Sequence, residues 1–233
     1  MIQRRVLLTI LLLTMAYTAV AQKEKHFNYG LKASFGSVRY DVEHLSIEGN
    51  LVSDYTTECN VSTTFSAFGR LNMQRHYLQL DAALNKHSST VLFPTVEWMA
   101  GARSGDVSSI TTQLTLVEMP FCYGYYLKNE GYYRLSFFTG PKVDLILPEW
   151  SSHSFTNFTQ IDITETIFPI YYNWMGGFSI SIKQFYFDLS AEMGLNNVSR
   201  GFTTQHLLGE RHTGDFVYDR FRNSLNFSIG LIF

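Results

Sequence analysis

The sequence has 233 residues, of which 16 % are charged and 15 % are aromatic, and its formal net charge is −2. Soluble domains carry roughly 25 % charged residues, so this chain is short of charge. Its 14 Tyr and 19 Phe favour strands over disorder. The length fits one domain, and the acidic balance excludes the basic surplus of nucleic-acid-binding proteins, so we predict no nucleic-acid partner.

The start of the chain has the pattern of an export signal. Two arginines precede an apolar run from Val6 to Met15, and the small-residue pattern Ala-Val-Ala ends at Ala21. A membrane-spanning helix needs about 20 apolar residues, so this run is too short to be one. We predict a secretory signal peptide over residues 1–21, cleaved after Ala21, and one exported domain over residues 22–233.

Apolar and polar residues alternate through much of the remaining chain. In residues 185–196, Phe185, Phe187 and Leu189 alternate with Asp188 and Ser190. A period of two residues is typical of a strand with one apolar face. Eight segments are therefore predicted as strands: residues 27–36, 63–73, 76–86, 110–127, 132–142, 170–182, 185–196 and 223–233.

The connections between these strands alternate in length. Short turns at 74–75, 128–131 and 183–184 separate four long connections at 37–62, 87–109, 143–169 and 197–222. Bacterial outer-membrane barrels have short periplasmic turns and longer extracellular loops. The sequence therefore predicts an all-β fold, an eight-stranded antiparallel up-and-down transmembrane β-barrel with four long outer loops, located in the bacterial outer membrane.

The placement of charge distinguishes a membrane barrel from a soluble one. The apolar sets of mid-strand positions contain no Asp, Glu, Lys or Arg, and they carry aromatics near strand ends, such as Tyr29, Trp174 and Phe185. Such aromatics match the interfacial girdles of membrane barrels. A lipocalin would instead turn its apolar face inward. We therefore predict that the apolar face contacts lipid.

Eight charged residues fall on the polar faces of the predicted strands. They are Lys32, Arg70, Asp81, Glu118, Arg134, Lys142, Asp188 and Glu192, four positive and four negative. Because an unpaired buried charge is costly, we predict that they neutralise one another in a lumen network that fills the barrel. A proton or substrate path is the alternative interpretation of the same residues.

Several motifs resemble the PorT-like outer-membrane barrel family of the Bacteroidota, which belongs with the porin-family barrels. They are YGLKAS from Tyr29, HYLQLDAAL from His76, TLVEMPFCYGYY from Thr115 and FYFDLSAEMGLNNVS from Phe185. Asp81 stands where that family usually has Glu, and Leu80 stands where it has Pro. The resemblance implies insertion by the bacterial barrel-assembly machinery, with the terminal aromatic Phe233 as its recognition signal. The namesake of the family assists secretion.

No metal or cofactor pattern is present in the sequence, which has no His-x-x-x-His, Cys-x-x-Cys or Gly-rich phosphate loop, so no cofactor is predicted. Cys59 and Cys122 are too few for a disulfide scaffold, and both are predicted to be free. The long connections contain candidates for hydrolysis at the rim: His87 with Ser88 and Ser89, Asp106 with Ser108 and Ser109, His153 between Ser152 and Ser154, and Glu210-Arg211-His212 with Asp215.

Aromatic residues in the long connections, such as Phe93, Trp150 and Phe155, indicate either a contact surface or strands that extend past the membrane and pack together. The predicted function is a non-catalytic scaffold that presents surface loops for structural or binding roles. Outer-membrane lipid and the barrel-assembly machinery are its expected partners, together with secretion-complex or surface partners. The alternatives are an accessory component of an outer-membrane secretion or transport complex and a lipid or peptide hydrolase at the rim.

Overall fold

The computed structural model describes residues 26–47, 50–58, 60–94, 107–157, 161–205, 211–213 and 216–233. Their strands are β1 (Phe27–Ile47), β2 (Asn50–Leu51), β3 (Thr56–Glu58), β4 (Asn60–Met73), β5 (His76–Pro94), β6 (Val107–Glu130), β7 (Tyr133–Ile146), β8 (Ser152–Thr156), β9 (Ile161–Ile167), β10 (Ile170–Ile182), β11 (Phe185–Gly194), β12 (Ser199–Gln205), β13 (Arg211–Thr213) and β14 (Phe216–Ile232). A short 3-10 helix spans Pro148–Trp150. These ranges contain no helix that is both long and apolar enough to cross a bilayer.

Eight of the strands close into an antiparallel ring. Its order is β1, β4, β5, β6, β7, β10, β11 and β14, and β14 pairs with β1 to complete it. Each ring strand contains most or all of one segment that alternation identifies in the sequence. Closure pairs the backbone amides of every ring strand, which an open sheet could not do in hydrocarbon. The prediction of an eight-stranded antiparallel barrel is confirmed.

The ring turns its apolar side chains outward. Leu189 and Ile229 are 51 % and 46 % exposed, whereas the neighbouring Ser190 and Ser228 are buried inside the ring. The pattern holds across strand pairs, because Ile229 lies opposite Ala33 on one side and Phe187 on the other. Alternation along each strand therefore forms an apolar belt around the barrel and a polar interior, as the sequence predicts.

The predicted boundaries of the long loops are wrong. Residues 37–47 continue β1, residues 87–94 continue β5, and residues 216–222 belong to β14. Residues 95–106, between β5 and β6, lie outside the described part of the chain. The strands in these connections lengthen the wall of the barrel at one rim, where β3 pairs with β5 and β8 pairs with β6.

The polarity of the wall reverses along β1, which explains this error. Phe35 is exposed on the outer side, but Val38 and Tyr40 are buried inside and Arg39 is exposed outside. Beyond the belt the wall faces water, so the apolar side chains pack inward as in a soluble barrel. The reversal therefore marks the edge of the apolar belt. The strand continues beyond it, although the sequence pattern changes there as it would at the end of a strand.

The protruding wall has its own hydrophobic core. Leu45, Ile47, Val91 and Phe93 are buried there, and Phe155 packs against them. Trp150, in contrast, remains 63 % exposed. The described aromatics of the long connections thus follow both interpretations, since Phe93 and Phe155 pack between extended strands and Trp150 is exposed. A separate three-stranded sheet, in the order β13, β12 and β9, adjoins this region.

Candidate functional site

Charged side chains from four ring strands meet in the middle of the lumen. The Nζ atom of Lys142 lies 2.9 Å from Glu118 Oε1, 2.7 Å from Glu192 Oε2 and 3.6 Å from Asp144 Oδ1. Arg222 donates from Nη1 to Asp144 Oδ2 at 2.8 Å and from Nη2 to Glu118 Oε1 at 3.1 Å. These five residues, the Lys142 group, are all buried. They cross-link β6, β7, β11 and β14 through the interior.

A second ion-pair group lies nearer to the short turns. Lys32 Nζ is 2.9 Å from Asp81 Oδ2 and 3.3 Å from Asp188 Oδ2. Ser228 donates a 2.7 Å hydrogen bond to the other oxygen of Asp188, and Gln79 donates one of 2.8 Å to Asp81. The Lys32 group therefore ties β1 to β5 on one side and to β11 on the other.

Arg70 fills the interior on the side of the short turns. Its guanidinium carbon lies 4.1 Å from the ring centroid of Tyr77, 5.1 Å from that of Tyr186 and 5.7 Å from that of Phe68. Two of its nitrogens donate to Gln79 Oε1 at 2.9 and 2.6 Å. Stacking on aromatic faces stabilises a buried cation without a carboxylate partner. This cluster closes the lumen below the Lys32 group.

The protruding wall contains a third ion-pair cluster, outside the apolar belt. The guanidinium of Arg220 binds Glu165 at 2.9 and 3.0 Å, and His153 Nδ1 lies 3.0 Å from Glu165 Oε2. Burial alone would raise the pKa of the Glu165 carboxyl, but Arg220 and His153 outweigh it and lower that pKa from 4.5 to about 2. This clamp joins β8, β9 and β14, which are not neighbours within one sheet.

The clamp predicts a dependence of stability on acid pH. Since the folded-state pKa of Glu165 is depressed to about 2, its stabilisation is complete above the unfolded value near 4.5 and is lost as pH falls through 2. We expect wild type to lose about 3 kcal/mol of unfolding free energy from this group across that window. Glu165→Gln lacks the titrating group. The difference in unfolding free energy between wild type and this variant should therefore decrease from pH 5 to pH 2 in urea titrations. A difference that stays constant over this range would contradict the assignment.

Seven of the eight predicted lumen residues lie in the interior clusters. Arg134 does not join them: its side chain is half-buried near the short-turn rim, where it faces Ser181 and Asn129 in register. Among the described residues no carboxylate lies within ion-pair distance of it. The prediction placed it in the network because it shares the polar face of its strand, but β7 begins at Tyr133, so Arg134 sits at the mouth of the barrel.

The sequence analysis missed Asp144 and Arg222, although both belong to the Lys142 group. Asp144 lies two residues after Lys142, and Arg222 lies two residues before Ser224. Both continue the polar face of a predicted strand just beyond the boundary assigned to it. Extending the alternation by two residues would have found them. The terminal Phe233 stacks on Tyr29 with ring centroids 5.7 Å apart, and its backbone nitrogen donates to Tyr29 at 2.7 Å.

The described rim candidates for catalysis do not form a nucleophile and base pair. Ser152 and Ser154 are exposed on the face of β8 opposite to His153. The two ring nitrogens of His87 are engaged by the hydroxyl of Tyr40 at 2.9 Å and by Asn85 Oδ1 at 2.8 Å. Ser108 donates a hydrogen bond to the carbonyl of Asn157. Three further candidates, Asp106, Glu210 and Asp215, lie outside the described residues, and only the backbone of Arg211 and His212 is described.

The two ion-pair groups leave little free volume between them. A cavity of about 30 Å³ lies there, lined by Lys32, Asp81, Glu118, Glu192 and neighbouring hydroxyl groups. This is room for one or two water molecules. Within the described ranges, no three His, Cys, Asp or Glu side chains are arranged to hold a metal ion. Cys122 is free and buried, while Cys59 lies outside the described residues.

Comparison with known proteins gives a family match. Residues 20–200 match a family model described as outer membrane protein beta-barrel domain. No curated protein matches the chain. Similar solved structures include OprG from Pseudomonas aeruginosa, with 11 % identity over 91 % of this chain and 98 % of that one and a TM-score of 0.49. OmpT from Escherichia coli has 9 % identity over 92 % and 99 % of the chains and a TM-score of 0.44. Ail of Yersinia pestis has 8 % identity over 90 % and 100 % and a TM-score of 0.38.

Proposed function

Because this chain belongs to the outer membrane protein beta-barrel domain family, we propose that it is a non-catalytic scaffold that presents its protruding rim for structural or binding roles. The chain is an outer-membrane β-barrel, so its belt of exposed Leu, Ile and Phe side chains contacts lipid. A rigid wall that carries exposed side chains beyond the bilayer suits presentation of a surface rather than turnover.

The filled lumen is the observation that carries this proposal. The Arg70 cluster, the Lys32 group and the Lys142 group occupy successive levels of the interior, and the cavity between the two ion-pair groups measures only about 30 Å³. Eight strands leave just enough interior for side chains. Transport through the barrel would require these buried ion pairs to separate, so the surface of the protein is left as the place for function.

Conductance measurement tests the proposal. We expect the purified barrel, inserted into planar lipid bilayers, to give no stable single-channel steps, because three clusters of buried ion pairs and stacked rings lie across the lumen. Insertion should be verified independently by heat-modifiable migration on gels of protein recovered from the same bilayer lipid. Reproducible unitary conductance from folded protein would refute a filled scaffold and would favour the proton or substrate path.

A role as an accessory component of a secretion or transport complex is a second proposal, favoured by the motif resemblance to the PorT-like family and by Trp150, which is 63 % exposed beyond the belt. It predicts stoichiometric partners that co-purify in mild detergent. Trp150→Ala should release them, whereas Trp174→Ala, at a belt position that is 47 % exposed, should not. We also propose that the chain is exported with a signal peptide that is cleaved after Ala21. The barrel-assembly machinery then inserts it and recognises Phe233.

A further inference from the structure

Charged side chains outside the filled part of the lumen are divided unequally between the two rims of the barrel. The rim formed by the short turns carries four cations and one carboxylate among the described residues: Arg75, Lys128, Arg134, Lys183 and Glu130. We call these five residues the basic rim. Lys128 Nζ lies 3.2 Å from Glu130, but both side chains are more than half exposed, so this pair leaves Lys128 open to solvent and ligands.

The opposite rim has the reverse balance. Its described side chains outside the barrel comprise two cations and six carboxylates, namely Arg39, Lys86, Asp41, Glu43, Asp54, Glu58, Glu149 and Asp219. Among the described side chains, charge is therefore net positive at one end of the apolar belt and net negative at the other. The two rims therefore attract groups of opposite charge at the two surfaces of a bilayer.

The basic rim is held in place by hydrogen bonds between neighbouring turns. Tyr126 donates its backbone amide to the carbonyl of Arg75 at 2.8 Å, and Lys183 donates to the carbonyl of Tyr132 at 2.6 Å. Lys183 also has a positive φ of 53°, which closes its two-residue turn. The backbones of these turns are therefore fixed, while the side chains of Arg75 and Lys128 are exposed.

The same turns lie beside an aromatic girdle on the outer face. Lys128 Nζ lies 6.0 Å from the ring centroid of Tyr133, and Tyr132 is 66 % exposed. Phe185 and Tyr29 are 51 % and 55 % exposed on the same side of the belt. Tyrosine at the edge of a belt locates the headgroup level of a bilayer, and flanking Lys and Arg side chains extend to that level.

We propose that the basic rim binds the anionic headgroups of phospholipids in the leaflet that surrounds the short turns. In outer-membrane barrels the short turns face the periplasm. Each Lys or Arg close to an anionic lipid surface strengthens binding about fivefold. This contact is separate from any partner of the protruding rim, so it holds or fails independently of the scaffold proposed above.

The test measures lipid binding by the full-length folded barrel in detergent. Native mass spectrometry gives dissociation constants for phosphatidylglycerol, which is anionic, and for phosphatidylcholine, which has no net charge. Wild type should bind phosphatidylglycerol more tightly. The double variant Arg75→Gln with Lys128→Gln should weaken phosphatidylglycerol binding about 25-fold and leave phosphatidylcholine binding unchanged.

The opposite rim supplies a matched control. Arg39→Gln with Lys86→Gln also removes one cation that is paired with an exposed carboxylate and one that is exposed, and it should leave both dissociation constants as in wild type. Heat-modifiable migration on gels checks that each variant is folded. Equal affinity of wild type for the two lipids would overturn the proposal, as would an equal loss of phosphatidylglycerol binding in both double variants.

Discussion

Lys142→Met should destabilise the barrel by about 3–5 kcal/mol, the cost of leaving buried charges without their partner. Lys142 Nζ lies within 2.9 Å of both Glu118 and Glu192, and the variant leaves these carboxylates and Asp144 with Arg222 as the one cation of the group. The methionine has nearly the same length, so the cavity term is small. Urea unfolding in lipid vesicles, followed by tryptophan fluorescence and gel migration, gives the difference in unfolding free energy.

An exposed lysine in an ion pair provides the comparison. Lys128 lies 3.2 Å from Glu130, with both side chains more than half exposed, so Lys128→Met should cost no more than about 1 kcal/mol. The double variant Lys142→Met with Glu118→Gln should recover part of the loss, because it removes one of the three carboxylates that would share Arg222 as their cation. Equal costs at positions 142 and 128 would show that the Lys142 group is solvated and does not fill the lumen.

The ring of strands could be predicted from the sequence because alternation reports directly on a wall with two different sides. In β11, Phe185 and Leu189 face outward while Asp188 and Ser190 face inward, and the period of two residues is visible without any knowledge of partners. Turn lengths then fix the antiparallel order, since a turn such as that at Lys183 can join only adjacent strands. Both inferences depend on local information.

The extended wall could not be predicted by the same rule. Past Phe35 the environment outside β1 changes, and apolar side chains such as Tyr40 and Leu45 turn inward. An inversion of polarity looks like the end of a strand when one polarity is assumed throughout. The clamp of Arg220, Glu165 and His153 is also beyond local analysis, because these residues come from β14, β9 and β8 and meet only through the closed tertiary fold.

The charges of the lumen illustrate the same division between local and tertiary information. The faces of Lys32 and Lys142 follow from alternation, but the choice of partners depends on how strands stagger around the ring. Asp188 pairs with Lys32, whereas Glu192, four residues along the same strand, pairs with Lys142. Within the part of the chain that the structure describes, Arg70 has no carboxylate partner and stacks on Tyr77 and Tyr186, an arrangement that no count of opposite charges reveals.

Leu189→Arg should destabilise the folded barrel by about 2–4 kcal/mol, the cost of an arginine near the midplane of a bilayer. Leu189 is 51 % exposed and lies between Phe178 and Phe227 in register. In a soluble barrel a substitution at a position this exposed would change stability by about 0.5 kcal/mol or less. The size of the effect therefore reports on whether this face contacts lipid or water, and urea unfolding in lipid vesicles measures it.

Phe185→Arg separates the effect of membrane depth on stability from the effect of side-chain exposure. Phe185 is also 51 % exposed, on the same strand and the same face as Leu189, but four residues nearer to the short turns, or about 13 Å along the strand. There the arginine can reach the headgroups, so its cost should fall to about 1 kcal/mol or less. The cost of an arginine depends on depth on a lipid-facing belt but not on a water-facing surface. Equal costs at positions 185 and 189 would therefore contradict contact of this face with lipid.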